Sequence, residues 1–210
     1  GAALYAYNVL LGKPRKFVME HAYWGKRYGE GEIADFLRAH NIPFKHIEDD
    51  TKLFSLLVDK LTAGKVIGWY QGRFEWGPRA LGNRSILADA RNPEMKEIVN
   101  SKIKFREPYR PFAPSVLVEH TADYFELEEP KKHYPARYML YVVPVKPAKH
   151  EVLPAITHVD GTGRLQTVFR EYNPRYYGLI ETFGQATGVP VVLNTSFNLK
   201  GEPIVTTPAN

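Results

Sequence analysis

The stretch Asn173-Pro174-Arg175-Tyr176-Tyr177-Gly178-Leu179-Ile180-Glu181-Thr182-Phe183-Gly184-Gln185-Ala186-Thr187-Gly188-Val189-Pro190-Val191-Val192-Leu193 decides the fold class. Asn173 and Pro174 open a helix, Ile180 and Phe183 repeat on one of its sides, and Gly188 closes it. Val189 to Leu193 is then a short apolar run that reads as a strand. The same order stands earlier. Leu53, Leu57 and Leu61 recur at i, i+4, i+8 with Phe54 and Val58 beside them, Thr51 is placed to cap, Gly64 ends the helix, and Val66 to Tyr70 follows as a strand. Shorter helices are expected around Ile33, Phe36 and Leu37, stopped by Asn41 and Pro43, and from Asn92 and Pro93 through Met95, Ile98, Val99 and Lys102. Further strands are expected at Ser115 to Val118 and at Tyr138 to Val145, the latter limited by Pro144 and Pro147. Two helix-Gly-strand units plus central strands make an α/β or α+β fold around one sheet.

Composition narrows the function. A chain of 210 residues with 44% hydrophobic content buries enough surface to fold as one domain without staples. The absence of cysteine excludes thiolate catalysis, Cys-ligated zinc and iron–sulfur centres, and disulfides. No apolar run approaches the roughly 20 residues that cross a bilayer, and no signal-peptide pattern opens the chain, so a cytoplasmic location is expected. Residues 1–30 show no clean period and read as an arm or linker from a preceding domain, with the domain proper at 31–210. The opening Gly1-Ala2-Ala3 and the ending Thr206-Thr207-Pro208-Ala209-Asn210 lead us to expect a piece of a longer protein.

The net charge of +5 is concentrated. Residues 73–110 hold nine basic and five acidic residues, four of the five net positive charges. Most of the nine are Arg, whose planar fork suits phosphate or carboxylate, so a phosphorylated small molecule or a nucleic acid is the expected partner. The expected position is the loops Gln71-Gly72-Arg73 and Asn194-Thr195-Ser196, because ligands of open α/β sheets sit outside the carboxyl ends of strands.

Four segments combine residues that a packed core does not require. Gly72 to Ser85 presents Arg73, Arg79 and Arg84 among three glycines, without the Gly-Lys-Ser/Thr end of a Walker loop. Lys102 to Pro114 would place Lys104 and Arg106 on one side if extended, with prolines holding Arg110; a phosphate chain and a nucleic-acid contact strip both fit. Thr157 to Val168 contains His158-Val159-Asp160, a weak metal signal, and more naturally a turn that displays Arg164. Asn194 to Pro203 offers Asn194, Thr195, Ser196 and Asn198 as neutral donors and acceptors, with no nucleophile elbow around Ser196 and no base expected near it.

Four stretches, 72–89, 106–114, 158–168 and 194–205, resemble the C-terminal domain of the O-carbamoyltransferases of the NodU and TobZ type. That resemblance implies a YrdC-like domain, an open twisted mixed sheet flanked by helices, which takes ATP and carbamoyl phosphate and makes carbamoyladenylate. It implies phosphate and carbamoyl contacts at Arg79, Lys104, Arg106, Arg110, Arg164, Asn194, Ser196 and Asn198, with Arg84 and His158 beside them. It implies magnesium carried by ATP, no metal ligands in this domain, and an iron-binding transfer domain N-terminal to it in the same polypeptide. Trp76 and Ala90 depart from the family pattern. A basic RNA-binding YrdC-like module is the alternative.

Overall fold

The computed structural model describes residues 1–107 and 109–210; Pro108, one of the prolines expected to hold Arg110, lies outside the described residues. Six strands, β1 (Ile67–Tyr70), β2 (Arg84–Asp89), β3 (Ala113–Leu117), β4 (Tyr141–Pro144), β5 (Thr162–Val168) and β6 (Val191–Ser196), join in the order β1-β2-β6-β3-β5-β4. β3 and β5 are parallel and the other neighbours antiparallel, so the sheet is open and mixed, as expected. The helices are α1 (Ala2–Tyr5), α2 (Glu30–Ala39), α3 (Asp50–Thr62), α4 (Met95–Val99), α5 (Thr121–Tyr124) and α6 (Pro174–Thr187).

α6 begins and ends where its residues dictate. The Asn173 side chain accepts the Tyr176 N–H, Pro174 occupies the first turn, and Gly188 adopts the left-handed φ of 75°. In α3 the cap is Asp49 rather than Thr51: its Oδ1 accepts the Thr51 N–H at 2.8 Å. A carboxylate there satisfies an orphan donor and also meets the positive end of the helix dipole, which a hydroxyl does not.

α3 and α6 pack together on one face of the sheet, where Val58, Leu61, Tyr176, Ile180 and Phe183 meet Leu87, Leu117, Val168 and Val192. The strand neighbours Ala88, Val116, Leu193 and Val191 belong to a second cluster with Phe125, Val143, Leu153 and Leu165. The split follows from the two-residue repeat of a strand. On the α3/α6 side the apolar stripe gives way, two residues on, to polar side chains: Val192 to Asn194 and Ser196, Leu117 to Ser115, Val168 to Gln166 and Arg164.

Several boundaries differ from the sequence reading. β2 and β5 occupy segments assigned there to Arg-bearing loops. β2 lies between β1 and β6 and is buried at all six positions, so it shows no alternation. The strand expected from Tyr138 starts only at Tyr141, because Tyr134–Tyr138 forms a 3₁₀ turn and Met139 has a φ of 56°. The helix expected from Asn92 starts at Met95, and the Asn92 side chain accepts the Glu94 N–H instead. α4 continues into a π turn, Asn100–Lys104, that Phe105 ends at a φ of 45°, so Lys104 and Arg106 do not share an extended segment.

Within the first thirty residues, Ala22 is buried, its carbonyl accepts the Trp76 N–H at 2.7 Å, and the Tyr23 hydroxyl donates to the Leu81 carbonyl at 2.8 Å. Leu4, Tyr5, Val9 and Leu10 are exposed.

The pairings run β2, β3 and β5 opposite to β1, β4 and β6. The sheet edge at which β1 and β6 end is therefore also where β2, β3 and β5 begin. Chain segments on both sides of strands converge there.

Candidate functional site

One buried carboxylate organises the loop between β1 and β2. Glu75 Oε1 accepts the backbone N–H groups of Leu81 at 2.9 Å, Asn83 at 2.6 Å and Arg84 at 3.1 Å. Burial pushes the Glu75 carboxyl up from the usual carboxylate range, and these N–H groups oppose it. Gly82, at a φ of 100°, lets the loop close onto Tyr176: a Cβ there would lie 2.2 Å from the ring.

This loop brings Arg79 to the polar stripe of the sheet. Arg79, Arg106 and Arg164 line a cavity of about 120 Å³ together with Phe112, Met139, Asn194 and Ser196. Among the described residues that line it there is no Asp or Glu. Burial depresses the Arg164 guanidinium, and the positive charges of Arg79 and Arg106 depress it further. Arg106 is depressed by burial and then by Arg110; its Nε donates to Asn100 Oδ1 at 2.7 Å and its guanidinium lies 4.7 Å from the Phe112 ring centre. Glu107 acts on Arg106 from outside the lining, so the cavity wall itself carries three guanidinium groups and no carboxylate.

Three buried polar atoms of the lining residues have no partner: Arg79 Nε, Arg164 Nε and Asn194 Oδ1. Asn194 is 1% exposed, on β6 rather than in a loop after it. Its Nδ2 donates to the Ala80 carbonyl at 3.2 Å, to Ser115 Oγ at 3.0 Å and to Gln166 Oε1 at 3.0 Å. Gln166 in turn donates from Nε2 to the Leu81 carbonyl at 2.9 Å and accepts the Ser115 hydroxyl at 2.7 Å.

Lys104 is placed differently from the clamp that its motif suggests. It is 6% exposed, is not among the cavity-lining residues, and donates to the Ser196 and Asn198 carbonyls, to Asn198 Oδ1 at 2.9 Å and to Ser196 Oγ at 3.3 Å. Burial, and then Arg106, pulls its amine down to about 8. The expectation that nothing basic stands near Ser196 is thus corrected. The Ser196 hydroxyl, however, donates to Asn198 Oδ1 at 2.6 Å, and at neutral pH the ammonium is a donor toward Oγ.

Asn198, which Lys104 holds, is also not among the cavity-lining residues, and three other expected site residues lie away from the cavity. Arg84 is fully buried, donates to the Gln71 and Asn83 carbonyls and stacks 3.6 Å from the Tyr70 ring centre, so it ties the end of β1 to the start of β2 and is not displayed by a loop. Arg110 is exposed and paired with Glu107 at 2.8 Å. His158 sits under the Asp160 turn, held below its ordinary pKa chiefly by burial, with Nε2 unpartnered. Glu75, Ser115 and Gln166 received no role from sequence. For Gln166 the signal available was its two-residue spacing from Arg164 within a strand.

Residues 58–210 match the family described as Carbamoyltransferase C-terminus. The chain belongs to this carbamoyltransferase family. Nodulation protein NolO of Bradyrhizobium diazoefficiens is 46% identical over 206 residues, 98% of this chain and 37% of that protein. The 3'-hydroxymethylcephem-O-carbamoyltransferase of Streptomyces clavuligerus is 35% identical over 207 residues, 98% of this chain and 36% of that protein. The chain therefore spans about a third of the length of these carbamoyltransferase relatives. Full-length HypF in the phosphate- and nucleotide-bound form overlaps it at a TM-score of 0.48 and 18% identity, over 72% of this chain and 21% of that one. All the cavity residues fall within the part that matches the carbamoyltransferase family. Among the described residues no helix is long and apolar enough to cross a membrane, and no group of three or more His, Asp or Glu is placed to hold a metal ion.

Proposed function

We propose that this cavity binds the phosphate groups of carbamoyl phosphate and ATP, and that the domain forms carbamoyladenylate. The observation that carries this reading is the pairing of three guanidinium groups with two orphan donors and one orphan acceptor in one carboxylate-free wall. Each unmet buried polar group costs about 1–3 kcal/mol. A ligand with anionic oxygens at one end and an N–H at the other is complementary to such a lining, and carbamoyl phosphate is such a ligand.

In the proposed sequence, water cleaves carbamoyl phosphate to carbamate and phosphate. A carbamate oxygen then attacks the α-phosphorus of ATP, and pyrophosphate leaves with the electron pair of the broken P–O bond. Neither step calls for a protein nucleophile. Arg79, Arg106 and Arg164 hold the phosphoryl oxygens and offset charge as it shifts to the leaving group. Asn194 orients the carbamoyl end, and Lys104 holds the Ser196–Asn198 turn in register. Magnesium enters as the counter-ion of ATP, a substrate, and neutralises charge on the triphosphate. Transfer to an alcohol belongs to an iron-binding domain that precedes this one in the longer polypeptide.

Calorimetric titration with ATP and with carbamoyl phosphate tests the reading, together with pyrophosphate release. Binding of both, pyrophosphate only when both are present, and no carbamoylated alcohol from this chain are expected. Absence of binding, or RNA binding with steep salt dependence and no competition by ATP, refutes it.

A further inference from the structure

We infer that Gln166 is a positioning residue that sets the specificity of the cavity: it locks the Asn194 carboxamide with its oxygen as the free group, so that the site selects an acyl phosphate carrying an N–H over one carrying a methyl. The inference rests on the proposed reading of the cavity as an acyl phosphate site and adds the means of discrimination.

An asparagine amide can turn over about its terminal bond, exchanging donor for acceptor at almost no cost in shape. Two backbone carbonyls remove that freedom here. The Leu81 carbonyl only accepts, so the end of Gln166 that lies 2.9 Å from it must be the NH₂, which turns Gln166 Oε1 toward Ser115 and Asn194. The Ala80 carbonyl also only accepts, and with Gln166 Oε1 it requires that the Asn194 NH₂ face both. Ser115 closes the circuit, giving its proton to Gln166 Oε1 and sharing with that oxygen one of the two Asn194 protons. With its donors committed, Asn194, a cavity-lining residue, keeps Oδ1 as a buried acceptor without a partner.

The orientation is thus transmitted from the main chain of the 72–83 loop through a side chain on β5 to a side chain on β6. β3 holds the links in register, since Ser115 pairs with Gln166 and Ala113 with Asn194. An arginine-lined cavity alone would accept any small phosphate. A fixed acceptor beside it discriminates, because a ligand with no N–H leaves that oxygen unmet.

The test compares binding of carbamoyl phosphate, acetyl phosphate and inorganic phosphate to the 210-residue chain. Acetyl phosphate has the same phosphate and a methyl in place of the NH₂. The wild-type chain is expected to prefer carbamoyl phosphate about tenfold or more, the scale of one unmet buried acceptor. Gln166→Met, which removes the lock at similar volume, is expected to bring that ratio to within about twofold of one, with inorganic phosphate affinity changed less than about twofold. Gln166→Glu, which keeps an acceptor toward Asn194, is expected to restore most of the preference. If Gln166→Met does not fold, Ser115→Ala takes its place, with the ratio expected to fall at least about threefold.

A wild-type chain that binds phosphate but treats the two acyl phosphates alike overturns the inference and leaves the anion site standing. An unchanged ratio in Gln166→Met, or in Ser115→Ala where that variant stands in, also overturns it, as does equal loss of the ratio in Gln166→Met and Gln166→Glu. A wild-type chain that binds none of the three ligands sinks the proposed function, and the inference with it.

Discussion

Replacing Lys104 by Met keeps most of the side-chain volume and removes the ammonium, which makes it the sharpest test of how the Ser196–Asn198 turn is held. Two opposed effects are expected. The backbone carbonyls of Ser196 and Asn198 lose their Lys104 donor, at about 1–3 kcal/mol for each that water cannot reach. Against this, the cost of keeping a charge at a site only 6% exposed is removed. The two effects separate with pH. In the fold the Lys104 amine is held at about 8, below its ordinary 10.5, so the fold disfavours the charged form. The penalty is complete below about pH 8 and fades as pH rises from there toward 10.5. Between pH 7 and 9.5 the wild-type chain should therefore gain about 1–2 kcal/mol relative to Lys104→Met, after a discount for solvent screening. Urea unfolding of both chains at several pH values, read as the difference between them, measures this. A difference that does not change with pH would show that Lys104 carries no buried charge, and the account of the turn would fail.

Arg164→Met should weaken inorganic phosphate binding by about tenfold or more, the loss of one charge-assisted contact. Arg110→Met should change it less than about twofold, since that guanidinium is exposed and paired with Glu107; calorimetry on both variants separates a cavity residue from a bystander. Ser196→Ala should lower adenylate formation by the cost of about one or two hydrogen bonds yet leave measurable turnover, and mass spectrometry of the wild-type chain should find no carbamoyl or adenylyl adduct on Ser196. Gly82→Ala should destabilise the fold by about 3 kcal/mol or more in a thermal or urea melt, because φ is 100° and the new methyl would meet the Tyr176 ring.

What could be read from residues alone was whatever depends on near neighbours along the chain. α6 is legible because Asn173, Pro174 and Gly188 act on backbone groups within one turn of themselves, and α3 because its leucines share a face wherever the helix goes. The concentration of arginine between 73 and 110, and the family it belongs to, are likewise properties of order and spacing. Which arginine lines the cavity is not. Arg79 and Arg84 stand five residues apart in one motif, yet one lines the cavity and the other is sealed against Gln71 and Tyr70, because β2 begins at Arg84 and passes between β1 and β6. Lys104 is no more legible: it closes the Asn100–Lys104 π turn, and its amine bonds the 196–198 segment, 92 to 94 positions away. Gln166 owes its place to β5 lying beside β3, and its grip on Asn194 crosses three strands. Hydrogen bonds between residues so far apart in the chain exist only once the sheet order is set, and that order is decided by packing on both faces at once rather than by any local stretch.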